Sequence, residues 1–168
     1  MNRYDILELY DYNYWANSKV LNAAAKISNE QFMAPMGLTY SSIRGSLTHA
    51  LGAEIVWRMR LQEGISLPAL PGQNEFPDVE TLTAHWKQEE ILMRRYINGL
   101  TDTDLDGQFK YTNTKGVHFE NTLWHVLLHI VNHGTQFRGD AAIGLTRLDR
   151  SPGDLDMILF FRKQQKST

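Results

Sequence analysis

The sequence of 168 residues predicts an all-α fold: a four-helix bundle with a long crossover connection and a short extra C-terminal helix. Four long segments place apolar residues at helical spacing. Breaks rich in Gly or Pro separate these segments. Two of the three links are long, which favours crossover connections over an up-down arrangement. The fourth segment, residues 121–148, is apolar on almost every side, as is typical of a helix surrounded by others.

The first helix is expected over residues 4–25, which contain neither Gly nor Pro. Apolar side chains recur there every three or four positions, so one face can be buried. Residues 28–31, Ser-Asn-Glu-Gln, fit a capping box for one or two further turns. Pro35 and Gly37 then end these turns.

The second and third long helices have clear boundaries in the sequence. The second is expected from Ser41 or Ser42 to about Gln62, where Gly64 stops it. Residues 65–77 hold three Pro and one Gly, and they predict a connection running over the surface. The third helix opens with Asp78 as its N-cap and continues to about residue 100.

The last third of the chain begins with a small hairpin. Residues 108–120 alternate in polarity around a turn at 113–116, which predicts two short strands. The long apolar helix follows, with Asn121 expected to cap its first turn. Pro152-Gly153 then introduces a last amphipathic helix over residues 154–164.

Composition and charge exclude several classes of protein. The length suits a single domain spanning residues 1–168. A net charge of −2 without a Lys/Arg run shows no nucleic-acid footprint. No apolar run approaches the roughly 18 residues of a membrane span, and the N-terminus does not resemble a signal peptide, so we expect a cytoplasmic protein. The absence of Cys leaves His, carboxylate, amide and water as possible metal ligands.

A ladder of histidines lies in the apolar fourth helix. His125, His129 and His133 are each four residues apart, so they share one helix face with Cβ atoms about 6 Å apart. Six His in 168 residues would give about 0.2 such pairs by chance, whereas the sequence has two. Adjacent imidazoles of this ladder can reach a common point.

The second helix offers a further candidate ligand, His49. Small residues flank it one turn away, at Gly45, Ser46, Gly52 and Ala53, and either admit another helix or leave space around the imidazole. Alone, His49 is best explained as a buried histidine bonded to a carbonyl. With the ladder on another helix, it becomes a candidate ligand of an open three-histidine site. Imidazole ligands suit Zn²⁺, Ni²⁺, Fe²⁺ or Cu²⁺, of which we expect Zn²⁺ or Ni²⁺.

The chain resembles the DinB/YfiT-like superfamily of metal-dependent enzymes over nearly its whole length. The resemblance rests on the order and spacing of four segments: YNYWAN (12–17), LTHALGAE (47–54), LLHIVNHGTQFRGD (127–140) and SPGDLDMILFFRK (151–163). It implies a four-helix bundle, often dimeric. It also implies a divalent metal held by one His of the second helix and a His-x-x-x-His pair on the last bundle helix.

Transferred residue by residue, the resemblance places ligands at His49 and His133. The second His of the pair falls on position 137, where this chain has Phe137. His129 has the right spacing to His133 but lies one turn nearer the N-terminus. Three outcomes therefore stay open: a weak site on His49 and His133 with more water, a shifted site using His129, or no metal.

The function expected from this resemblance is that of a small metal-dependent enzyme, a thiol-dependent S-transferase or a hydrolase. Its partners would be a small-molecule thiol or electrophile and a second copy of the chain. The alternative is a non-catalytic binding or structural bundle whose metal site has degenerated. Phe137 favours this alternative, whereas the retained His49 and His133 favour the enzyme.

Five polar positions receive structural interpretations. Arg138 predicts a structural salt bridge rather than a catalytic group. Asn13 and Asn17, spaced i and i+4, either reach the bundle interior or pair locally. Glu89 and Glu90 lie on a charged helix and predict a solvated face.

Overall fold

Four long helices form the body of the protein and confirm the predicted all-α fold. The structure, a computed structural model, describes residues 1–165. Its α-helices and strands are, in chain order, α1 (Arg3–Ala24), α2 (Asn29–Met33), α3 (Ile43–Arg58), α4 (Val79–Asn98), α5 (Asp102–Asp106), β1 (Gln108–Thr112), β2 (His118–Thr122), α6 (Leu123–Arg147) and α7 (Met157–Gln164). A π-helical turn, Met59–Glu63, and a short 3-10 helix, Gln73–Glu75, lie between α3 and α4.

The four long helices pack around a shared apolar core. Helices α1 and α3 each contact both α4 and α6, which closes the bundle. Tyr10, Leu51, Trp86 and Leu127 contribute one large side chain from each helix and are buried. Burial of a large apolar side chain stabilises the fold by about 1.5–3 kcal/mol, so this core supplies the main driving force for assembly.

Side-chain caps begin three of the helices where the sequence indicates. Ser28 and Gln31 form the predicted capping box of α2. Ser42 accepts a hydrogen bond from a backbone N–H in the first turn of α3, and Asp78 does the same for α4. Each cap satisfies an N–H group that the helix itself leaves unpaired, which stabilises the helix by about 1 kcal/mol.

Asn121 does not cap α6, contrary to the prediction from the sequence. Strand β2 extends to Thr122, and α6 begins at Leu123 without a side-chain cap. Asn121 pairs with Phe109 across the two-stranded antiparallel sheet, and its side chain accepts a hydrogen bond from the Tyr111 hydroxyl at 3.0 Å. The strand pairing holds the backbone of Asn121 in an extended conformation. Its side-chain amide is bonded to Tyr111 and does not cap the helix.

The second long helix reaches the predicted end but changes geometry on the way. After Arg58 the chain continues as a π-helical turn, Met59–Glu63, and Gly64 ends it in the left-handed conformation. Such turns are wider than an α-helical turn and recur at functional sites. The last turn therefore aims its side chains differently from a regular helix.

Glu89 is buried rather than solvated, which corrects the prediction for this face of α4. Its Oε1 accepts a hydrogen bond from Nε of Arg58 at 2.6 Å, and only about 3% of Glu89 is exposed. Burying a carboxylate beside a guanidinium is tolerated because the opposite charge replaces the lost water. Glu90 lies nearer the surface and accepts from Arg94 on the same helix.

The C-terminal helix is shorter than predicted. Helix α7 begins at Met157 rather than at 154, and it packs through Phe160, whose ring contacts Tyr12 and Trp15 of α1. Between residues 1 and 165, no helix combines the length and the apolar character needed to cross a membrane.

Candidate functional site

His49 and His133 converge on one point between α3 and α6. Their Nε2 atoms lie 3.2 Å apart, and their ring centroids lie 5.0 Å apart. Helices α3 and α6 pack directly against each other, and each His points from its own helix into the seam. The sequence predicts this convergence.

The nitrogen pair fits two ligand positions of a metal site. Two nitrogens bonded to one Zn²⁺ at 2.0–2.1 Å lie roughly 3.3 Å apart when the geometry is tetrahedral. The observed separation of 3.2 Å is close to this value. The same distance also suits a hydrogen bond, for which one of the two neutral rings carries a proton on Nε2.

Phe137 occupies the place where a third imidazole is expected. Its ring centroid lies 4.4 Å from that of His49 and 4.6 Å from that of His133. The side chain is buried, so the phenyl ring seals this side of the histidine pair from water. The side chain of Phe137 points toward the histidine pair, as predicted. It offers an apolar ring where a third histidine would offer a nitrogen lone pair.

The other ladder histidines lie at the edge of the site. The ring of His129 packs against Trp57 at 5.6 Å and lies 5.8 Å from the ring of His133, while His125 packs against Trp124. Both side chains are exposed, so α6 is not buried all round as its sequence predicts. Within residues 1–165, no three His, Asp or Glu side chains are arranged to hold a metal ion.

Tyr40 is a site residue that the sequence does not single out. Its ring stacks on His49 with centroids 3.9 Å apart, and its hydroxyl oxygen lies 3.1 Å from His49 Nε2. Tyr40 comes from the loop before α3, which has no periodicity to mark it. Phe137 contacts Tyr40 edge to face, so the rings of Tyr40 and Phe137 together pack on the histidine pair.

Asp140 and Gly45 hold this loop in place. Asp140 accepts hydrogen bonds from the Thr39 backbone N–H at 3.1 Å and from the Ser46 hydroxyl. At Gly45, a Cβ atom would collide with the carbonyl oxygen of Tyr40. Gly45 therefore allows the loop before α3, and not another helix, to approach α3 closely. This loop positions Tyr40.

Burial keeps the histidines of the site neutral near pH 7. It lowers the pKa of His133 to about 4, and the nearby His49 and His129 add to this shift because two positive charges would repel. Burial also lowers the pKa of His49. A neutral imidazole has one ring nitrogen with a free lone pair, which is the form that binds metals or accepts protons.

A second polar cluster lies inside the bundle beside the site. Oε1 of Glu54 accepts hydrogen bonds from the amides of Asn13 at 3.2 Å and Asn17 at 3.5 Å. Arg138 donates to the oxygens of both amides and, at 2.9 Å, to the hydroxyl of Thr135. The amides thus bridge the acid and the guanidinium, and Arg138 bonds to amide oxygens where a carboxylate was expected.

Glu54 is a second site residue that the sequence analysis does not single out, although it ends the segment LTHALGAE. It is fully buried, and burial raises its pKa to about 7, although the Asn13 hydrogen bond and the Arg138 charge oppose this shift. Its Oε2 has no hydrogen-bond partner among the described residues. A carboxyl group poised near neutrality can hold or release a proton inside the bundle.

A family comparison accounts for this arrangement of helices. A model of the DinB family matches residues 1–167. The chain belongs to the DinB family. It is also similar to Protein DinB of Bacillus subtilis (strain 168), with 26% identity over 172 residues that cover 95% of this chain and 96% of that protein. This DinB-family chain therefore aligns with its relative from end to end.

Proposed function

We propose that this DinB-family protein is a divalent-metal-dependent enzyme, with His49 and His133 as its protein ligands and solvent in the remaining positions. The observation that supports this proposal is the 3.2 Å separation between the two Nε2 atoms. Both imidazoles are neutral at pH 7, so protons do not compete strongly for their lone pairs.

The reaction proposed is thiol-dependent S-transfer or hydrolysis, the activity that the resemblance implies. A bound divalent metal would lower the pKa of a thiol or a water molecule and so supply a nucleophile near pH 7. The protein contributes an apolar wall, because Phe137 and Tyr40 pack on His49 and limit the access of bulk water. Asp140 keeps this wall in place through Thr39 and Ser46.

The second candidate function is a binding or structural bundle without catalysis. Phe137 supports it, because this ring is buried against both histidines where the third ligand would lie. The His49–His133 pair would then be an internal hydrogen bond that joins α3 to α6. Metal affinity distinguishes the two functions.

The proposal is tested by calorimetric titration of the metal-free protein with Zn²⁺ and with Ni²⁺. We expect one weak equivalent in the wild type, because two imidazoles anchor the metal less firmly than three. Phe137→His should bind at least about tenfold more tightly, since a third imidazole completes the ligand set. His133→Ala should abolish this binding. His85→Ala, which removes an imidazole that packs on Phe76, should leave it unchanged.

Two results would contradict the proposal. If wild type and His133→Ala bind metal equally, the metal lies elsewhere on the chain. If Phe137→His folds but gains no affinity, the side chain at position 137 does not meet the histidine pair in a ligand geometry. The binding bundle would then be the better description.

A further inference from the structure

Arg60 lies in an unusual environment at the end of the second long helix. It belongs to the π-helical turn Met59–Glu63, and only 7% of its surface is exposed. Its guanidinium carbon lies 4.6 Å from the ring centroid of Trp57 and 5.5 Å from that of Tyr111. Two aromatic faces therefore hold a buried positive charge.

No carboxylate of the described part of the chain pairs with this charge. Within residues 1–165, Arg60 forms no ion pair and no hydrogen bond, and its Nε is buried without a partner. Buried arginines are normally paired, because removing a charged group from water carries a large free-energy cost. Arg58, two residues earlier, follows this rule through Glu89. The contrast marks Arg60 as a buried charge that no residue between 1 and 165 pairs.

A cavity of about 540 Å³ opens beside Arg60, within the range typical of small-molecule sites. Its walls are the end of the π-helical turn and the β1–β2 hairpin. The hydroxyl of Ser66 donates to the Thr112 carbonyl at 2.7 Å and joins the crossover loop to the hairpin, so the two walls are connected.

The charges around this cavity favour an anion. Lys110 and Glu120 are direct partners in the sheet register, so their charges offset each other at the rim. His118, also at the rim, is held by a hydrogen bond with Thr112. Among the described residues that line the cavity, Arg60 then carries a charge without a counter-charge. Burial lowers the pKa of Arg60, a penalty that a bound anion would relieve.

We propose that this cavity, the Arg60 pocket, binds the carboxylate or phosphate group of a small organic molecule. Guanidinium groups match both oxyanions with paired hydrogen bonds, and the aromatic rings of Trp57 and Tyr111 lie beside the guanidinium of Arg60. The ring of Trp57 also contacts His129, so Trp57 separates the Arg60 pocket from the histidine ladder. The proposal holds with or without a metal at His49 and His133.

The test is a titration of the full chain with sodium benzoate and, separately, with inorganic phosphate, at an ionic strength held constant with NaCl. The NMR resonance of Arg60 Nε, identified by its loss in Arg60→Lys, reports binding directly. We expect a saturable shift with a dissociation constant on the order of 1 mM for at least one probe. A benzoate response identifies a carboxylate ligand, and a phosphate response identifies a phosphate ligand.

Three variants support the titration. Arg60→Gln should bind the active probe at least tenfold more weakly by calorimetry, whereas Arg95→Gln, which removes an exposed arginine of α4, should bind like the wild type. If Arg60→Gln fails to fold, Lys110→Gln is used in its place, because Lys110 is exposed and its replacement should not disturb folding. A severalfold loss of affinity for the active probe is expected. Absence of a saturable shift at Arg60 Nε with both probes would overturn the proposal, as would unchanged binding in Arg60→Gln.

Discussion

Glu54 shows how a single buried side chain connects stability to pH. Its carboxyl group has a pKa of about 7 in the folded protein, against an ordinary value of 4.5. Burial favours the neutral acid, so the folded protein retains a proton that the unfolded chain releases above pH 4.5. The stabilisation from the protonated form is complete below pH 4.5 and is lost as the pH rises through 7.

Glu54→Gln removes this titration while preserving the size of the side chain. The free energy of unfolding of the variant minus that of wild type should increase by about 2–4 kcal/mol as the pH rises from 4.5 to 8. Urea unfolding of both proteins at pH 5 and pH 8 measures the gain. Glu8→Gln, at an exposed position of α1, is the control and should show no such gain. An equal difference at both pH values would show that Glu54 titrates normally.

At the scale of elements, the loop before α3 connects two helices of the candidate site. It brings Tyr40 onto His49 of α3, and through Thr39 it bonds to Asp140 of α6. The contact depends on Gly45, the third residue of α3, because a side chain there would meet the backbone of the loop. Backbone cannot rotate away as a flexible side chain can, so the loop itself must move.

Gly45→Ala should therefore destabilise the protein by about 1–3 kcal/mol, although alanine favours helix. Gly139→Ala is the matched control, because Gly139 is exposed on α6 with open space where a Cβ would lie. That variant should be stabilised by up to about 1 kcal/mol. Thermal unfolding of the two variants gives the comparison. Equal behaviour would mean that the loop adapts freely and that Gly45 does not position Tyr40.

At the scale of the whole molecule, several large apolar side chains remain partly exposed after the bundle has folded. Trp86 is buried, whereas Trp15, Trp57 and Trp124 are only partly so. Ile143 and Ile158 expose about half of their surface. Where such apolar side chains lie together on a soluble protein, they commonly mark an interface.

We therefore expect a symmetric homodimer, in agreement with the resemblance. Sedimentation velocity at micromolar concentration should give twice the chain mass of 19.3 kDa. A single species of one chain mass under these conditions would contradict the prediction.

The sequence alone determines the helices and the two central histidines. Apolar spacing and caps such as Ser28 and Asp78 act within one or two turns, so their effects can be predicted from neighbours in the chain. The four-residue spacing marks the histidine ladder, and the small residues around His49 mark that histidine as a candidate. The resemblance to the DinB/YfiT-like superfamily then selects His133 from the ladder. Phe137 follows by position, since i and i+4 share a face.

Only the tertiary structure decided what surrounds these residues. Glu89 is buried because Arg58 of another helix neutralises it, and Asn121 fails as a cap because a strand partner engages it. The environments of Tyr40 and Arg60 depend likewise on segments far away along the chain. The physical reason is common to all four. Helical spacing arises from near neighbours in the chain, whereas burial, pairing and pKa depend on contacts that exist only after distant segments have packed together.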